Sequence, residues 1–107
     1  MLRTDTSDLD KNGVKGDWCF MNSTDSDGNH VEDAYICLMW GDDSFSQMAI
    51  LPIKERKGLS QAVWNWNGNK EVPTLTPSIL VRTTKPHSNE QIELFHGFLT
   101  DGKIVHC

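Results

Sequence analysis

The sequence predicts a mostly β fold: one small β-sandwich or rolled antiparallel sheet of about seven strands, closed by a C-terminal hairpin. Three observations carry this. Short apolar runs rich in aromatic and β-branched residues recur along the 107 residues, separated by clusters of Gly, Asn, Asp, Ser and Pro. No window of about eleven residues or more repeats its apolar positions at the helical period of about 3.6. Asp101-Gly102 stands between two apolar runs, a two-residue hairpin signal because both central positions of that turn need positive φ.

Residues 1–16 are polar and rich in Asp, Asn and Gly, and read as a flexible N-terminal arm before a single β-rich domain over 17–107. Asp8 to Gly13 copies the opening of a calcium loop, but the twelfth position is Cys19 where a bidentate Glu is required, so a turn is expected there. Asp17 to Asn22 reads as a strand, Thr24 to Asn29 as an Asx and Gly turn, and Ala34 to Trp40 as the returning strand. Gly41-Asp42-Asp43 is the next turn, and Phe45 to Ile53 a further strand. Pro52 cannot donate to a ladder, which places that strand's end at a sheet edge. Lys54 to Gln61 has room for one helical turn. Ala62 to Trp66 alternates strictly, putting Trp64 and Trp66 on one face.

Asn67-Gly68-Asn69 turns the chain, and Val72 to Pro77 is extended, because each proline drives the residue before it into the β or polyproline region. Ser78 to Arg82 continues as a strand, and a polar loop runs from Thr83 to Glu90. If Asp101-Gly102 forms the final turn, Leu99 lies opposite Ile104, Phe98 opposite Val105, Gly97 opposite His106 and His96 opposite Cys107. Directly opposed residues share a face. His96, Phe98, Val105 and Cys107 then line one side, and Leu99, Ile104 and His106 the other.

Composition excludes several classes of function. The length suits one domain with one core, and 37% apolar residues with four tryptophans supply enough burial to order it. A net charge of -5 argues against nucleic acid, which needs clustered Lys and Arg; the one basic cluster, Lys54-Glu55-Arg56-Lys57, reads as a solvated loop. Met1 to Asp8 has no apolar run and no window approaches a membrane span, so a cytoplasmic protein without membrane or secretory segment is expected. Cys19, Cys37 and Cys107 are odd in number with no close-spaced pair, so reduced thiols are the default.

One constellation can carry chemistry. Ser78 follows Pro77 at the start of a strand, and His96 lies in the final hairpin; a serine hydroxyl becomes a nucleophile when a base accepts its proton. The third member is open. Asp101 is about 17 Å along the strand from His96 at roughly 3.4 Å per residue, which leaves Asp33, Glu71, Glu93 or a backbone carbonyl. Two other sets compete: a zinc site from Cys37, His96, His106 and Cys107, and a thiol nucleophile from Cys107 with His96.

Three ordered blocks, Trp64-x-Trp66-Asn67-Gly68, Pro73-Thr74-x-x-Pro77-Ser78-Ile79-Leu80 and His96-Gly97-Phe98-Leu99-Thr100-Asp101-Gly102-Lys103-Ile104, resemble a family of small phage and prophage proteins often labelled ammonia monooxygenases. That family is related to the serine peptidase component of bacterial ubiquitin-like conjugation (Bub) operons. The resemblance implies a phage or mobile-element serine peptidase that hydrolyses an amide or ester at a ubiquitin-like C-terminus or conjugate, and so counters a host defence. It makes Ser78 the nucleophile and His96 the general base, with Trp64, Trp66, Asn67 and Thr76 shaping the substrate site. Members often carry a C-x-x-C pair where this chain has Cys37-Leu38-Met39-Trp40, and a cysteine where it has Phe95. No metal and no other cofactor is therefore expected. The alternatives are a non-enzymatic accessory or inhibitor protein that binds a host protein through its tryptophans, and a degenerate zinc-binding module.

Overall fold

The computed structural model describes residues 1–41 and 47–107. Helix α1 spans Thr6–Asn12, and the strands are β1 Trp18–Thr24, β2 His30–Met39, β3 Met48–Pro52, β4 Asn65–Trp66, β5 Leu75–Thr84, β6 Gln91–Thr100 and β7 Lys103–His106. They form two antiparallel sheets, ordered β1-β2-β3 and β4-β5-β6-β7. One core lies between them: Trp18, Ile36, Leu38, Ala49, Leu51 and Ile53 from the first half meet Leu75, Ile79, Phe95 and Leu99 from the second. A mostly β sandwich with a closing hairpin is what alternating apolar runs without helical period dictate. Among the described residues no helix is long and apolar enough to cross a membrane.

Several elements sit where their residues place them. β3 is an edge strand and Pro52 ends it; the expected start of that strand at Phe45 and the turn at Asp42-Asp43 lie outside the described residues. The final hairpin adopts the register set by its turn: Thr100 opposite Lys103, Leu99 opposite Ile104, Phe98 opposite Val105, Gly97 opposite His106. Asp101 (φ 49°) and Gly102 (φ 75°) both take the left-handed conformation this turn needs. The Cys107 N–H donates to the His96 carbonyl at 3.1 Å, which extends the pairing by one position.

Other elements differ from expectation. The turn expected at Asp8 to Gly13 is instead the end of α1 with its C-cap. Asp5 caps the helix by accepting from the Asp8 N–H at 2.8 Å, and Leu9 is fully buried; a cap and one docked apolar residue hold a helix too short to show periodicity. Leu9 covers the outer face of the first sheet, where Cys19, Cys37, Met39, Met21 and Met48 gather. The strand expected over Ala62 to Trp66 shrinks to Asn65–Trp66, because the Trp64 N–H bonds the Pro52 carbonyl at 2.9 Å rather than a ladder partner. Lys54 to Gln61 forms turns and bends, with no helical turn.

Candidate active site

The candidate residues Ser78 and His96 lie on the outer face of the second sheet. β5 begins at Leu75, before the two-proline segment ends, and Pro77 sits inside it. A proline has no N–H for the ladder, so an interior proline demands an irregularity. The register supplies one: Leu75 pairs with Leu99 and Ile79 with Gly97, so Thr76, Pro77 and Ser78 stand opposite Phe98 alone. The Thr76–Pro77 peptide is cis. Ser78 is half-buried at the end of this bulge, and the regular ladder resumes at Ile79.

β6 delivers the histidine. Leu80 and His96 are direct partners, and Val81 pairs with Phe95. Inward-pointing Ile79, Phe95 and Leu99 are buried, so Leu80, His96 and Phe98 point outward by the period of two. The His96 Nε2 lies 3.3 Å from the Ser78 Oγ. A second bulge follows: Arg82 pairs with Glu93, leaving Leu94 as the extra residue. Glu93 and His96, three apart, would face opposite sides of a regular strand. The bulged residue restores them to one side, and the Glu93 Oε1 stands 3.7 Å from the His96 Nδ1. Of the acids that the sequence leaves open, Glu93 is the one beside the histidine.

This arrangement can activate a hydroxyl. With the proton on Nδ1 facing Glu93, Nε2 presents its lone pair to the Ser78 O–H, the order of groups in a Ser-His-carboxylate set. It is an open version. The His96 side chain is 35% exposed and the Glu93 side chain 58%, so water screens the carboxylate and its pull on the imidazole is modest.

The remaining candidates are dispersed. Asp33 pairs with Lys70 at 3.2 Å, Glu71 is exposed in the loop before β5, and Asp101 sits in its turn, where its N–H donates to the Thr74 Oγ1 at 2.9 Å. Trp64 and Trp66 are half-buried against the core, Trp66 tilted on Phe20 with centroids 5.2 Å apart. Asn67 closes its own turn, donating from Nδ2 to the Val72 carbonyl at 3.1 Å. Thr76 is exposed in the Ser78 bulge.

The thiol and imidazole set also separates. Cys37 is fully buried beside Cys19 under Leu9 on the first sheet, while His106 lies edge-on to Phe95, centroids 5.4 Å apart. A hydrogen bond with Cys37, together with burial, pushes the Cys19 thiol up, which keeps it protonated and inert. Cys107 is exposed next to His96. Among the described residues no three His, Cys, Asp or Glu side chains gather as a metal site. Trp40 and Phe95 stack on each other with centroids 6.1 Å apart.

Two comparisons with known proteins return nothing: no curated protein and no solved structure matches the chain. A third does. Residues 29–107, which include every residue of the constellation above, match the family described as bacterial ubiquitination-like system serine protease (BubE).

Proposed function

The chain belongs to the family of serine proteases of bacterial ubiquitination-like systems, and from that membership we propose that it cleaves an amide or ester at the C-terminus of a ubiquitin-like protein. Ser78 is the nucleophile, His96 the general base and Glu93 the group that orients the imidazole. The observation that carries this is the chain of contacts from the Ser78 Oγ to His96 Nε2 at 3.3 Å and from His96 Nδ1 to Glu93 at 3.7 Å.

The steps balance with these groups alone. Nε2 takes the Ser78 proton as Oγ attacks the carbonyl carbon. The tetrahedral intermediate collapses as His96 returns that proton to the leaving amine or alcohol, which leaves an acyl-serine. Water then attacks the ester and gives its proton to Nε2. As this second tetrahedral intermediate collapses, His96 returns that proton to the Ser78 Oγ, which releases the carboxylate product and free Ser78. Backbone N–H groups at the Ser78 bulge, where β6 offers too few partners, are the candidates to hold the oxyanion. Thr76 adjoins them and contacts substrate; Trp64, Trp66 and Asn67 act behind it by holding β4 and its turn against β5. The cleaved protein is the partner, and the reaction takes place in the cytoplasm. A phage or mobile-element gene with this activity would remove a host conjugate and so counter a defence, a role that rests on the sequence blocks around Ser78 and His96.

A fluorophosphonate probe, which captures activated serines irrespective of substrate, tests the site. Wild-type protein should be labelled at Ser78, located by tandem mass spectrometry, and both Ser78→Ala and His96→Gln should lose the label. Folded wild-type protein with no label on Ser78 overturns the reading.

A further inference from the structure

Beside Ser78 and His96 the outward face carries exposed apolar side chains, where a solvated sheet face is ordinarily polar. Leu80, Phe98 and Val105 are exposed by 38%, 38% and 50%. The pairing places them around the dyad: Leu80 is the direct partner of His96, Phe98 follows His96 by one side-chain period, and Val105 is the direct partner of Phe98. Phe98 is also the residue opposite the Ser78 bulge. Three large apolar side chains thus border a polar pair on one continuous surface, and the core does not need them, since Leu99, Phe95 and Ile79 fill it from the other side of the same strands.

We propose that this apolar border is the specificity surface of the Ser78 site, and that it selects an aliphatic side chain within about three residues on the acyl side of the bond cut. The inference rests on the protease reading and deepens it. An extended chain advances about 3.3 Å per residue and neighbouring strands lie about 4.8 Å apart, so a substrate whose carbonyl meets the Ser78 Oγ lays its next residues over Leu80 or over Phe98 and Val105. Recognition belongs on the acyl side, because that side is the constant one when the leaving group varies from an added peptide to the lysine of a conjugate. Burying one leucine against these side chains favours it over a charged residue by a factor of ten or more.

Two peptidyl diphenyl phosphonates test this. Both carry glycine at the phosphonate; one has leucine and the other aspartate at the second and third positions, in an otherwise identical Gly-Ser peptide. Each labels Ser78 at a rate followed by intact-mass spectrometry, beside the small fluorophosphonate as a control. The expected result is a rate ratio of at least ten in favour of the leucine probe. Leu80→Ser and Phe98→Ser should each pull that ratio toward one, a readout internal to each variant and independent of its active fraction. Equal rates with the two probes, or fluorophosphonate labelling of Ser78 with neither peptide probe reacting, overturns the inference and leaves the protease reading standing. Absence of fluorophosphonate labelling removes both. A wild-type dimer by sedimentation that turns monomeric on Phe98→Ser without change in the ratio makes the face a self-association surface and overturns the inference too.

Discussion

Glu93→Gln measures what an open, water-screened carboxylate contributes to His96 as the proposed general base. The substitution keeps the size of the side chain and removes its charge. At the 3.7 Å that separates the Glu93 Oε1 from the His96 Nδ1, the attraction between carboxylate and imidazolium is about 4.5 kcal/mol at an effective dielectric of about 20 and about 1.1 kcal/mol in water. The side chains are 58% and 35% exposed, and ion pairs in such settings contribute about 1 kcal/mol at most. The lower figure therefore applies, and kcat/KM, or the fluorophosphonate labelling rate of Ser78, should fall about 5-fold, against about 1000-fold or more for His96→Gln. The deficit should shrink toward about 2-fold in 1 M salt, where the screening length is about 3 Å. Glu93→Asp should recover less than half of the loss, because its shorter side chain retreats from Nδ1. A loss of about 1000-fold for Glu93→Gln would mean a buried, tightly bonded carboxylate and would refute the geometric reasoning. A rate unchanged within about 1.5-fold, at any ionic strength, would show that Glu93 does not act through His96.

Three further substitutions test the scaffold. Asp17 accepts from the Arg3 Nε at 2.9 Å, the amino group of Met1 at 3.0 Å and the Val14 N–H at 3.1 Å; burial alone would raise its pKa, but these donors outweigh it and hold the carboxyl below its ordinary value. A lowered folded pKa stabilises above the unfolded value and is lost as pH falls through the folded one. The wild-type melting temperature should therefore drop below about pH 4, and Asp17→Asn, about 2 kcal/mol less stable and melting roughly 8 °C lower at pH 7, should show a shallower acid slope; parallel slopes in calorimetry would contradict this. Leu9→Ala should cost about 2 to 4 kcal/mol by opening a cavity under α1, and a thiol reagent that reacts quickly with exposed Cys107 alone in the wild type should also reach Cys19 and Cys37. Gly97→Ala places a Cβ 2.6 Å from the Val105 carbonyl oxygen and 3.0 Å from the Phe95 ring. Backbone on the β7 side must shift, so urea unfolding should show about 2 kcal/mol less stability, and an unaltered midpoint would mean the hairpin is looser than its register implies.

The parts of the fold that were legible in the sequence are those fixed by local chemistry. Asp101-Gly102 determines its own turn, the turn determines the pairing of four residues on each arm, and that pairing determines that His96, Phe98 and Val105 share a face. Pro52 marks an edge because of a missing donor, and the alternating apolar runs mark two sheets around one core. Helix α1 was hidden because its stability comes from one cap and one docked leucine rather than from a periodic stripe. Its partners, Cys19, Cys37 and Met39, lie in strands that the local sequence does not connect to it.

The candidate site was legible in its members and not in its geometry, for a reason that the two bulges make plain. Ser78 and His96 can be singled out as residue types, but whether they meet depends on how β5 registers on β6, and that register is broken twice. The extra residues at Thr76 to Ser78 follow from Pro77, so a reader of the sequence can expect an irregularity there without knowing its size. The extra residue at Leu94 has no such marker: no glycine or proline accompanies it. Were Leu94 an ordinary ladder residue, Glu93 would point toward the opposite face from His96, and parity alone would strike it from the set of orienting acids. The one-residue slip in β6 therefore decides which carboxylate faces the imidazole. It also keeps the outward face continuous from Glu93 through His96 to Phe98, so the same irregularity that completes the polar line leaves the apolar border intact beside it. Deleting Leu94 should therefore remove the bulge without changing parity: Glu93 then directly precedes Phe95 and stays opposite Arg82, so the carboxylate remains on the face of His96 and the hairpin beyond Phe95 keeps its register.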